Sequence, residues 1–543
     1  MKKKRGAKAK SKVSTRKAAK KVKKKPAPKK KTAGKQVKSK KPAKQKQEKK
    51  EPSQKIIDEY DFDSDDMPIH ITVSYKEGEF VPIYEVSIAS ISKATEMILE
   101  QIRRKLIREV SLGMVDITNL KETGVVEDKF KETISILVQK YFPDVDEKSK
   151  GYLTTYLIQK SLGLGNIEIL MNDKLLEEIT VNSSDEPVWV YHKKHGWLKT
   201  NVMLPSEDRI KHYASMIARR VGRQISVLEP LLDAHLEEGD RVNATLLPIS
   251  AHGHTITIRK FSRDPFTITH FLRTNTMSLD AAALAWLAIQ YELSALIAGG
   301  TASGKTSTLN VLANFFPPNQ RIISIEDTRE IRLPKFLHWV PMSTRQPNSE
   351  GKGEITMEDL LVNSLRMRPD RILVGEVRRK REAETLFEAI HTGHSCYATF
   401  HANNVDETIN RLTNPPIQVP KTMLPAISML ILQFRNRRTG LRRTFQIAEI
   451  LPDSSANLLM QFDASKDTLR QVNKSKTLWQ TLQLYTGHSA QKLQKIIDVK
   501  KQILKYMMKH DIDTVDSVGR VMAEYYTHYD NLMKYVKANK KFV

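Results

Sequence analysis

The sequence has a single cysteine and no long apolar run, and each shortage excludes a class of protein. With Cys396 as the only cysteine among 543 residues, the chain can form neither an internal disulfide nor a four-cysteine zinc site, which fits a reducing, cytosolic setting. The most apolar long stretch, 281–300, is interrupted by Gln290 and Glu292, whereas a membrane-spanning helix needs roughly 20 apolar residues. The charged N-terminus also lacks the apolar segment of a signal peptide. We therefore expect any membrane contact to be peripheral or to occur through a partner.

Acidic residues are nearly absent from the first 50 positions, where Glu48 accompanies 25 lysines and arginines. This segment carries about +24 of the net charge of +27, which leaves the remaining residues close to neutral. Because the segment has almost no large apolar side chains, it cannot bury enough surface to offset its ordering entropy. We predict that residues 1–66 are a disordered basic tail followed by an acidic linker, 51–66. An acidic stretch that folds back on the tail is the alternative.

Three roles for the basic tail stay open. The simplest role is that of a solvated segment that keeps the protein soluble or anchors it. The second is binding to anionic lipid at the inner surface of the membrane, and the third is binding to nucleic acid. The near neutrality of the rest of the chain argues against a basic channel, because nucleic-acid binding depends on contacts to phosphates. Nucleic acid is therefore the least favoured partner.

Hydrophobic patterning divides the rest of the chain into four regions. Residues 67–170 form an accessory region with a strand-like piece at 69–75 and a helical pattern at 92–110. Strand patterns alternate with polar turns in 171–270, which indicates an α+β subdomain, and 265–278 is the expected linker to the next domain.

Short apolar runs alternate with helical segments in residues 271–455, a pattern typical of buried parallel strands in an α/β domain. The runs lie at 293–299, 321–327, 371–376 and 396–401. Residues 456–543 are lysine-rich and mostly helical in pattern. The predicted fold class is therefore α/β, preceded by the α+β subdomain.

The stretch GGTASGKTS, residues 299–307, joins a strand pattern to a helical one and fits the phosphate-loop pattern G-x-x-x-x-G-K-[ST]. Glycines let the backbone N–H groups face phosphate oxygens, and the following helix adds its positive end. Lys305 is expected to reach the β- and γ-phosphates, and the Thr306 hydroxyl is expected to bind Mg²⁺. The alternative is a glycine-rich turn with an incidental lysine. The predicted nucleotide-binding residues are Gly299, Gly300, Thr301, Ala302, Ser303, Gly304, Lys305, Thr306 and Ser307.

Acidic residues follow two of the predicted strands. Glu376 comes after RILVG, and Glu326 and Asp327 end RIISIED. A doubly wound sheet collects its ligands at the carboxyl ends of its strands, so these acids are expected to converge on the phosphate loop. A phosphate-loop ATPase needs acids there to hold Mg²⁺ and to orient water. Either acid alone is also consistent with an ordinary helix cap.

Two histidines, His394 and His401, flank the strand pattern CYATF, and Thr399 precedes His401 by two residues. A neutral imidazole or a hydroxyl at this place would report on the γ-phosphate, although a histidine in a strand is more often a packed residue. Zinc binding by these histidines together with His391 lacks a good further ligand.

Four ordered elements make the chain resemble the type II/type IV secretion ATPase superfamily, which powers secretion, type IV pili and the archaellum. They are the phosphate loop at 299–306, an aspartate box at 324–334, a Walker B element at 368–378 and a histidine box at 392–402. Residues 230–261 resemble the family's N-terminal subdomain. Many bacterial members carry a four-cysteine zinc insert and a G-E-[IM]-R-D Walker B. The single cysteine and the stretch GEVRRKRE look more like the archaeal branch.

This resemblance implies a RecA-like P-loop ATPase core that uses ATP and Mg²⁺ and assembles as a homo-hexamer. In it Glu326 activates water, Glu376 supports Mg²⁺, and two arginines from the N-terminal subdomain reach the γ-phosphate. The implied catalytic residues are Glu326, Glu376, Arg241, Arg259 and His401.

The implied function is a cytoplasmic motor at the inner face of the cell membrane, working with a polytopic membrane platform protein. Two alternatives remain at this point. The first is a DNA-transfer or nucleic-acid motor of the same superfamily, and the second is a nucleotide-gated scaffold that binds ATP without cycling.

Overall fold

The computed structural model describes residues 55–65, 67–88, 91–113, 123–236, 239–261, 265–347 and 351–542. Within these residues lie two β-sheets of nine strands each. The tail predicted at 1–50 lies outside the described residues.

The first sheet belongs to the N-terminal half. Its strands are β1 (Lys55–Ser64), β2 (Met67–Tyr75), β3 (Ile83–Ile88), β4 (Leu176–Val181), β5 (Trp189–His192), β6 (Gly196–Thr200), β7 (Leu231–His235), β8 (Arg241–Thr245) and β9 (Thr255–Arg259). The helices of this half are α1 (Lys93–Gly113), α2 (Thr123–Tyr141), α3 (Glu147–Leu162), α4 (Asn166–Asn172) and α5 (Glu207–Arg220). The strand order is β1-β2-β3-β6-β5-β4-β9-β8-β7. Strand β2 and helix α1 confirm the predicted strand at 69–75 and helix at 92–110.

The acidic stretch that we expected to be a linker forms strand β1 instead. Tyr60 and Phe62 are half-buried, whereas Glu59 and Asp61 face solvent, so the side chains alternate with the strand period of two. Tyr60 also donates a hydrogen bond to Asp173 Oδ2 at 2.6 Å. In the sequence, the many acidic residues of this stretch made the alternation of half-buried and exposed side chains hard to recognise.

The boundary predicted at residue 170 does not separate two structural units. Strand β3 pairs in parallel with β6, so that Ile83 lies opposite Lys199. One hydrophobic core extends from Met67 to Ile258 and includes residues from both predicted regions. The accessory region therefore completes the sheet of the N-terminal subdomain.

The second sheet belongs to the C-terminal half. Its strands are β10 (Ala295–Gly299), β11 (Ile322–Glu326), β12 (Trp339–Ser343), β13 (Arg371–Val377), β14 (Ser395–Phe400), β15 (Met429–Arg435), β16 (Arg442–Ile450), β17 (Ala456–Asp463) and β18 (Thr468–Gln471). Its helices are α6 (Ile268–Arg273), α7 (Leu279–Gln290), α8 (Lys305–Ala313), α9 (Met357–Ser364), α10 (Lys380–His391), α11 (Val405–Thr413), α12 (Thr477–Thr486), α13 (Ala490–Lys509), α14 (Val515–Thr527) and α15 (Tyr529–Ala538), with a 3₁₀ helix at Lys421–Ala426.

The strand order of this sheet is β12-β11-β13-β14-β10-β15-β16-β17-β18. The first six strands in this order, which include β10 and β11, are parallel. Strands β16, β17 and β18 continue the sheet in antiparallel orientation. The four apolar runs singled out in the sequence form β10, β11, β13 and β14, which confirms the α/β prediction. Because the strands are parallel, their carboxyl ends meet at one edge, where the phosphate loop also lies.

The region after residue 455 is not wholly helical, because β17 and β18 extend the sheet to Gln471. Helices α12 to α15 follow and share one hydrophobic core with α7 and β10. Glu449 on β16 anchors them, since its buried carboxylate accepts the backbone N–H groups of Lys476 at 2.6 Å and Leu478 at 2.7 Å. The predicted linker at 265–278 contains the short helix α6.

Candidate active site

The phosphate loop lies between β10 and α8, as the sequence pattern predicts. Strand β10 ends at the buried Gly299 and α8 begins at Lys305. A Cβ atom at Gly299 would lie 2.3 Å from Ser303 Oγ and 2.7 Å from the Gln433 carbonyl oxygen, so a larger residue does not fit. Gly304 has a φ of +95°, in the left-handed region that glycine adopts without strain. The unpaired N–H groups at the start of α8 suit this wrapped loop to anion binding.

Lys305 folds back over the loop, and its Nζ donates to the Gly300 carbonyl oxygen at 3.1 Å. The Ser303 hydroxyl donates to the same oxygen at 2.8 Å. Arg442 on β16 braces the loop by donating to the Ala302 carbonyl at 3.1 Å. Burial lowers the pKa of Lys305, and the carboxylate of Glu376 partly offsets this effect. A phosphate oxygen can therefore replace a neutral carbonyl as the partner of this ammonium group.

Glu326 ends β11 and is only 1% exposed. Its Oε1 accepts the backbone N–H groups of Glu330 at 2.8 Å and Ile331 at 2.9 Å, whereas its Oε2 has no hydrogen-bond partner among the described residues. Burial raises the pKa of Glu326 to about 7. An unpartnered carboxylate oxygen with a pKa near neutrality suits a group that accepts a proton from water.

Glu376 lies near Glu326 because strands β11 and β13 are neighbours. A Cβ atom at Gly375 would lie 3.3 Å from the Cα atom of Glu326. Glu376 accepts a hydrogen bond from Arg378 Nε at 2.7 Å, and Arg378 Nη1 donates to Asp327 at 2.5 Å. One guanidinium group thus joins the acids that end the two strands, at the edge of the sheet that carries the phosphate loop.

From the histidine box, His401 reaches the phosphate loop. It follows β14 directly, and its Nε2 lies 3.3 Å from Thr301 Oγ1. Thr399 donates to the Gly375 carbonyl oxygen at 2.5 Å and so ties β14 to the strand that carries Glu376. Of these two predicted residues, His401 contacts the phosphate loop, and Thr399 contacts the strand that carries Glu376.

The structure does not bring His394 to the site. It precedes β14 at the amino end of the strand, and its Nδ1 lies 3.2 Å from the Ala389 carbonyl oxygen. The phosphate loop lies at the carboxyl ends of the strands. His394 is therefore at the opposite edge of the sheet from the residues with which we grouped it.

Arg241 and Arg259 lie directly opposite each other on β8 and β9. Arg241 donates twice to the Asp233 carboxylate, from Nε at 2.9 Å and from Nη2 at 2.6 Å. A cleft of about 690 Å³ lies between this part of the first sheet and the second sheet. Arg241 and Asp233 line one side of it, and the motif residues that line the other side are Asp327, Glu376 and Arg378. Arg241 thus faces the acids of the second sheet, and Arg259 is exposed beside it.

Sequence reasoning did not single out three arginines that complete this geometry. Arg378 stands within the Walker B stretch, so its position was a usable signal. Arg223 bridges the cleft, donating to the carbonyl oxygens of Asp233 at 2.7 Å and Pro347 at 3.1 Å. No local pattern identifies Arg223 or Arg442, because their partners across the site are 124 and 140 residues away in sequence.

No helix in the described part of the chain has the length and apolar character needed to cross a bilayer.

Comparison with known families and relatives gives concordant matches. The family described as "Type II/IV secretion system protein" matches residues 161–439. An uncharacterized protein of Methanocaldococcus jannaschii is 38% identical over 351 residues, which cover 63% of this chain and 46% of that protein. A putative conjugal transfer protein of Mycobacterium tuberculosis is 30% identical over 53% of this chain and 84% of its own length. The type IV secretion system protein PtlH of Bordetella pertussis is 33% identical over 46% of this chain and 80% of its own length. The chain spans about half the length of the first relatives, 46% and 54%.

The chain also matches two solved structures over more than half of its length. The VirB11 ATPase from the Brucella suis type IV secretion system is 24% identical, with a TM-score of 0.27, over 53% of this chain and 96% of that one. The pilus retraction motor PilT with bound ADP is 18% identical, with a TM-score of 0.39, over 63% of this chain and 92% of that one.

Proposed function

Because the chain belongs to the type II/IV secretion system ATPase family, we propose that it hydrolyses ATP to power a secretion or pilus machine. The observation that carries this proposal is a wrapped phosphate loop at the same edge of the parallel sheet as Glu326, whose buried Oε2 has no partner among the described residues. The machine that we propose for this motor either assembles a filament, which is a type IV pilus-like filament or an archaellum, or secretes protein.

Different residues of the chain bind the phosphates, activate water and sense the γ-phosphate. The N–H groups of the loop bind the β- and γ-phosphates, and Lys305 exchanges the Gly300 carbonyl for a phosphate oxygen. Glu326 Oε2 accepts a proton from the attacking water as the water oxygen bonds to the γ-phosphorus. The bond to the bridging oxygen breaks, and ADP and phosphate leave. His401 and Thr301, whose Nε2 and Oγ1 atoms lie 3.3 Å apart, would sense the γ-phosphate.

The residues at this site fit Mg²⁺ only if the nucleotide supplies ligands. No three histidine, cysteine, aspartate or glutamate side chains converge as metal ligands within the described ranges. The Thr306 hydroxyl, in the first turn of α8, and a Glu376 oxygen would hold the ion together with phosphate oxygens and water, as Mg²⁺ prefers. When bound, Mg²⁺ neutralises charge that develops on the phosphate oxygens.

Closure of the cleft would couple hydrolysis to movement. Arg241 is held by Asp233 on one side of the cleft and faces the acids on the other. When the subdomains close, Arg241 and Arg259 pair with the γ-phosphate, and its loss on hydrolysis lets them open about the segment at 265–278. In the homo-hexamer that the family implies, closure at one site strains the next. A polytopic membrane platform protein at the inner face of the cell membrane would receive this motion.

The test is ATP turnover by the full chain, measured as phosphate release with Mg²⁺. We expect Lys305→Ala to abolish turnover while its thermal unfolding remains like that of the unmodified chain. Lys421→Ala, which changes an exposed lysine at the start of the 3₁₀ helix, is the matched control and should leave turnover unchanged. Equal turnover in Lys305→Ala and the unmodified chain would overturn the proposal.

A DNA-transfer motor is the second candidate, because the Mycobacterium tuberculosis relative is named a putative conjugal transfer protein. The two candidates differ in their response to DNA. Phosphate contacts by a DNA motor make its stimulation fall steeply as salt rises. Salt-sensitive stimulation of turnover by double-stranded DNA would favour this candidate, and turnover that DNA does not change would favour the filament or secretion motor.

A further inference from the structure

The imidazole ring of His401 is held from two sides. Its Nε2 lies 3.3 Å from the hydroxyl of Thr301 in the phosphate loop. Its Nδ1 lies 3.0 Å from Arg411 Nη1 on helix α11. The same Nη1 donates to the His401 carbonyl oxygen at 2.5 Å and lies 3.4 Å from Glu407 Oε1. Arg411 is therefore fixed by two contacts with His401 and one with Glu407.

The chemistry of these partners determines where the ring carries its proton. A guanidinium group only donates hydrogen bonds, so His401 Nδ1 must accept from Arg411 and cannot carry hydrogen. A neutral ring with an unprotonated Nδ1 carries its hydrogen on Nε2, which then donates to Thr301 Oγ1. The Thr301 hydroxyl thereby receives a hydrogen bond, and its own proton remains free to be donated elsewhere in the loop.

We propose that Arg411 is a positioning residue that holds His401 as its Nε2–H tautomer, so that Thr301 directs its hydroxyl proton at the nucleotide phosphates. This inference rests on the proposed ATPase function and adds a residue that the motif pattern did not include. Arg411 acts through His401 and makes no contact with the phosphate loop itself among the contacts of the described residues. Arg411 and Glu407, both on α11, are charged groups that interact with the ring.

The tautomer is measured directly by ¹⁵N NMR of the full chain with ¹⁵N-labelled histidine and without nucleotide. The His401 signals are assigned by their loss in His401→Gln. We expect an unprotonated Nδ1 and a protonated Nε2 in the unmodified chain and in Arg411→Lys, because a lysine also only donates. In Arg411→Met the Nδ1 signal should move toward that of a protonated nitrogen. An Nδ1–H tautomer in the unmodified chain would overturn the inference, and so would an unchanged spectrum in Arg411→Met.

Turnover supplies a second readout that a merely structural role would not reproduce. Loss of a hydrogen bond to a charged group should lower kcat about tenfold in Arg411→Met, with recovery in Arg411→Lys. Arg366→Met, which changes an exposed arginine before β13 at the opposite edge of the sheet, should leave kcat unchanged. In a Thr301→Val background, Arg411→Met should have little further effect, because the hydroxyl that it orients is gone.

The outcomes separate this inference from the proposed function. If Lys305→Ala is inactive but Arg411→Met turns over at the normal rate, the role of Arg411 is refuted and the ATPase stands. Independent, multiplicative effects of Arg411→Met and Thr301→Val would also refute it. If Lys305→Ala keeps full turnover, the proposed function itself fails.

Discussion

Glu326→Gln should abolish ATP turnover, and its stability relative to the unmodified chain should rise with pH. The buried carboxyl of Glu326 has a pKa raised from 4.5 to about 7 by burial, so ionising it costs more in the folded chain than in the unfolded chain. Its contribution to stability is therefore greatest below about pH 4.5 and is lost as the pH rises through about 7. Glutamine avoids this loss because it stays neutral, and its side-chain oxygen can still accept from the N–H groups of Glu330 and Ile331.

The size of the effect follows from the shift in the pKa of Glu326. One pKa unit corresponds to about 1.4 kcal/mol, so ionisation costs the fold about 3 kcal/mol above pH 7 and roughly 1 kcal/mol at pH 5. Burial of the unpartnered glutamine NH₂ adds a penalty of about 1–3 kcal/mol. That penalty does not depend on pH, so it cancels when the two pH values are compared. The variant should gain about 2 kcal/mol relative to the unmodified chain between pH 5 and pH 8.

Urea unfolding of the nucleotide-free full chain at pH 5 and pH 8 measures this difference. Glu384→Gln is the matched control, since it changes an exposed glutamate that lies 3.7 Å from Lys380 on the same helix. The free-energy gap, defined as the free energy of unfolding of the variant minus that of the unmodified chain, should rise by about 2 kcal/mol from pH 5 to pH 8 for Glu326→Gln and should stay constant for Glu384→Gln. A Glu326→Gln gap that is equal at both pH values would refute the assignment of a neutral-range pKa to this carboxyl.

Three further predictions concern the loop, the C-terminal anchor and the cysteine. Gly299→Ala places a methyl group 2.3 Å from Ser303 Oγ, so binding of a fluorescent ATP analogue should be lost, and normal affinity would contradict the wrapped loop. Glu449→Ala removes the acceptor of three backbone N–H groups, those of Lys476, Thr477 and Leu478, and should lower the free energy of unfolding by about 3 kcal/mol in urea at pH 7. The difference should be smaller below pH 4.5, because the fold lowers the pKa of this carboxyl and acid removes the carboxylate. An unchanged urea midpoint would count against this anchor. Burial raises the pKa of the Cys396 thiol. Alkylation by iodoacetamide at pH 8 should therefore be slow without denaturant and fast with denaturant. Rapid labelling of the folded chain would contradict the burial of this thiol.

The sequence predicts those parts of the site that depend on neighbours along the chain. The phosphate loop, the apolar strand before it and the acids that end β11 and β13 are all local patterns, and the structure has them at the predicted residues. Their convergence follows from a general property of parallel sheets, whose carboxyl ends meet at one edge. Glu326 and Glu376 could therefore be placed together without any long-range information.

Features that depend on contacts between distant residues could not be predicted in this way. Strand β1 is recognisable only once Tyr60 is seen to contact Asp173, 113 residues away. Arg223 and Arg442 owe their positions to partners on other elements. For His394 the prediction was wrong for a different reason. His394 is close to His401 in sequence, but strand β14 lies between them, so the two histidines are at opposite edges of the sheet.

Glu326 Oε2, which lacks a partner within the described ranges, and the wrapped loop together predict how nucleotide binds. A structure of the full chain with a non-hydrolysable ATP analogue and Mg²⁺ tests it most directly. We expect the phosphates within the loop at 299–306, Lys305 Nζ moved from the Gly300 carbonyl to a phosphate oxygen, and Glu326 Oε2 facing the γ-phosphate. An analogue bound elsewhere, or a loop that still holds Lys305 against Gly300 with Glu326 turned away, would contradict the account.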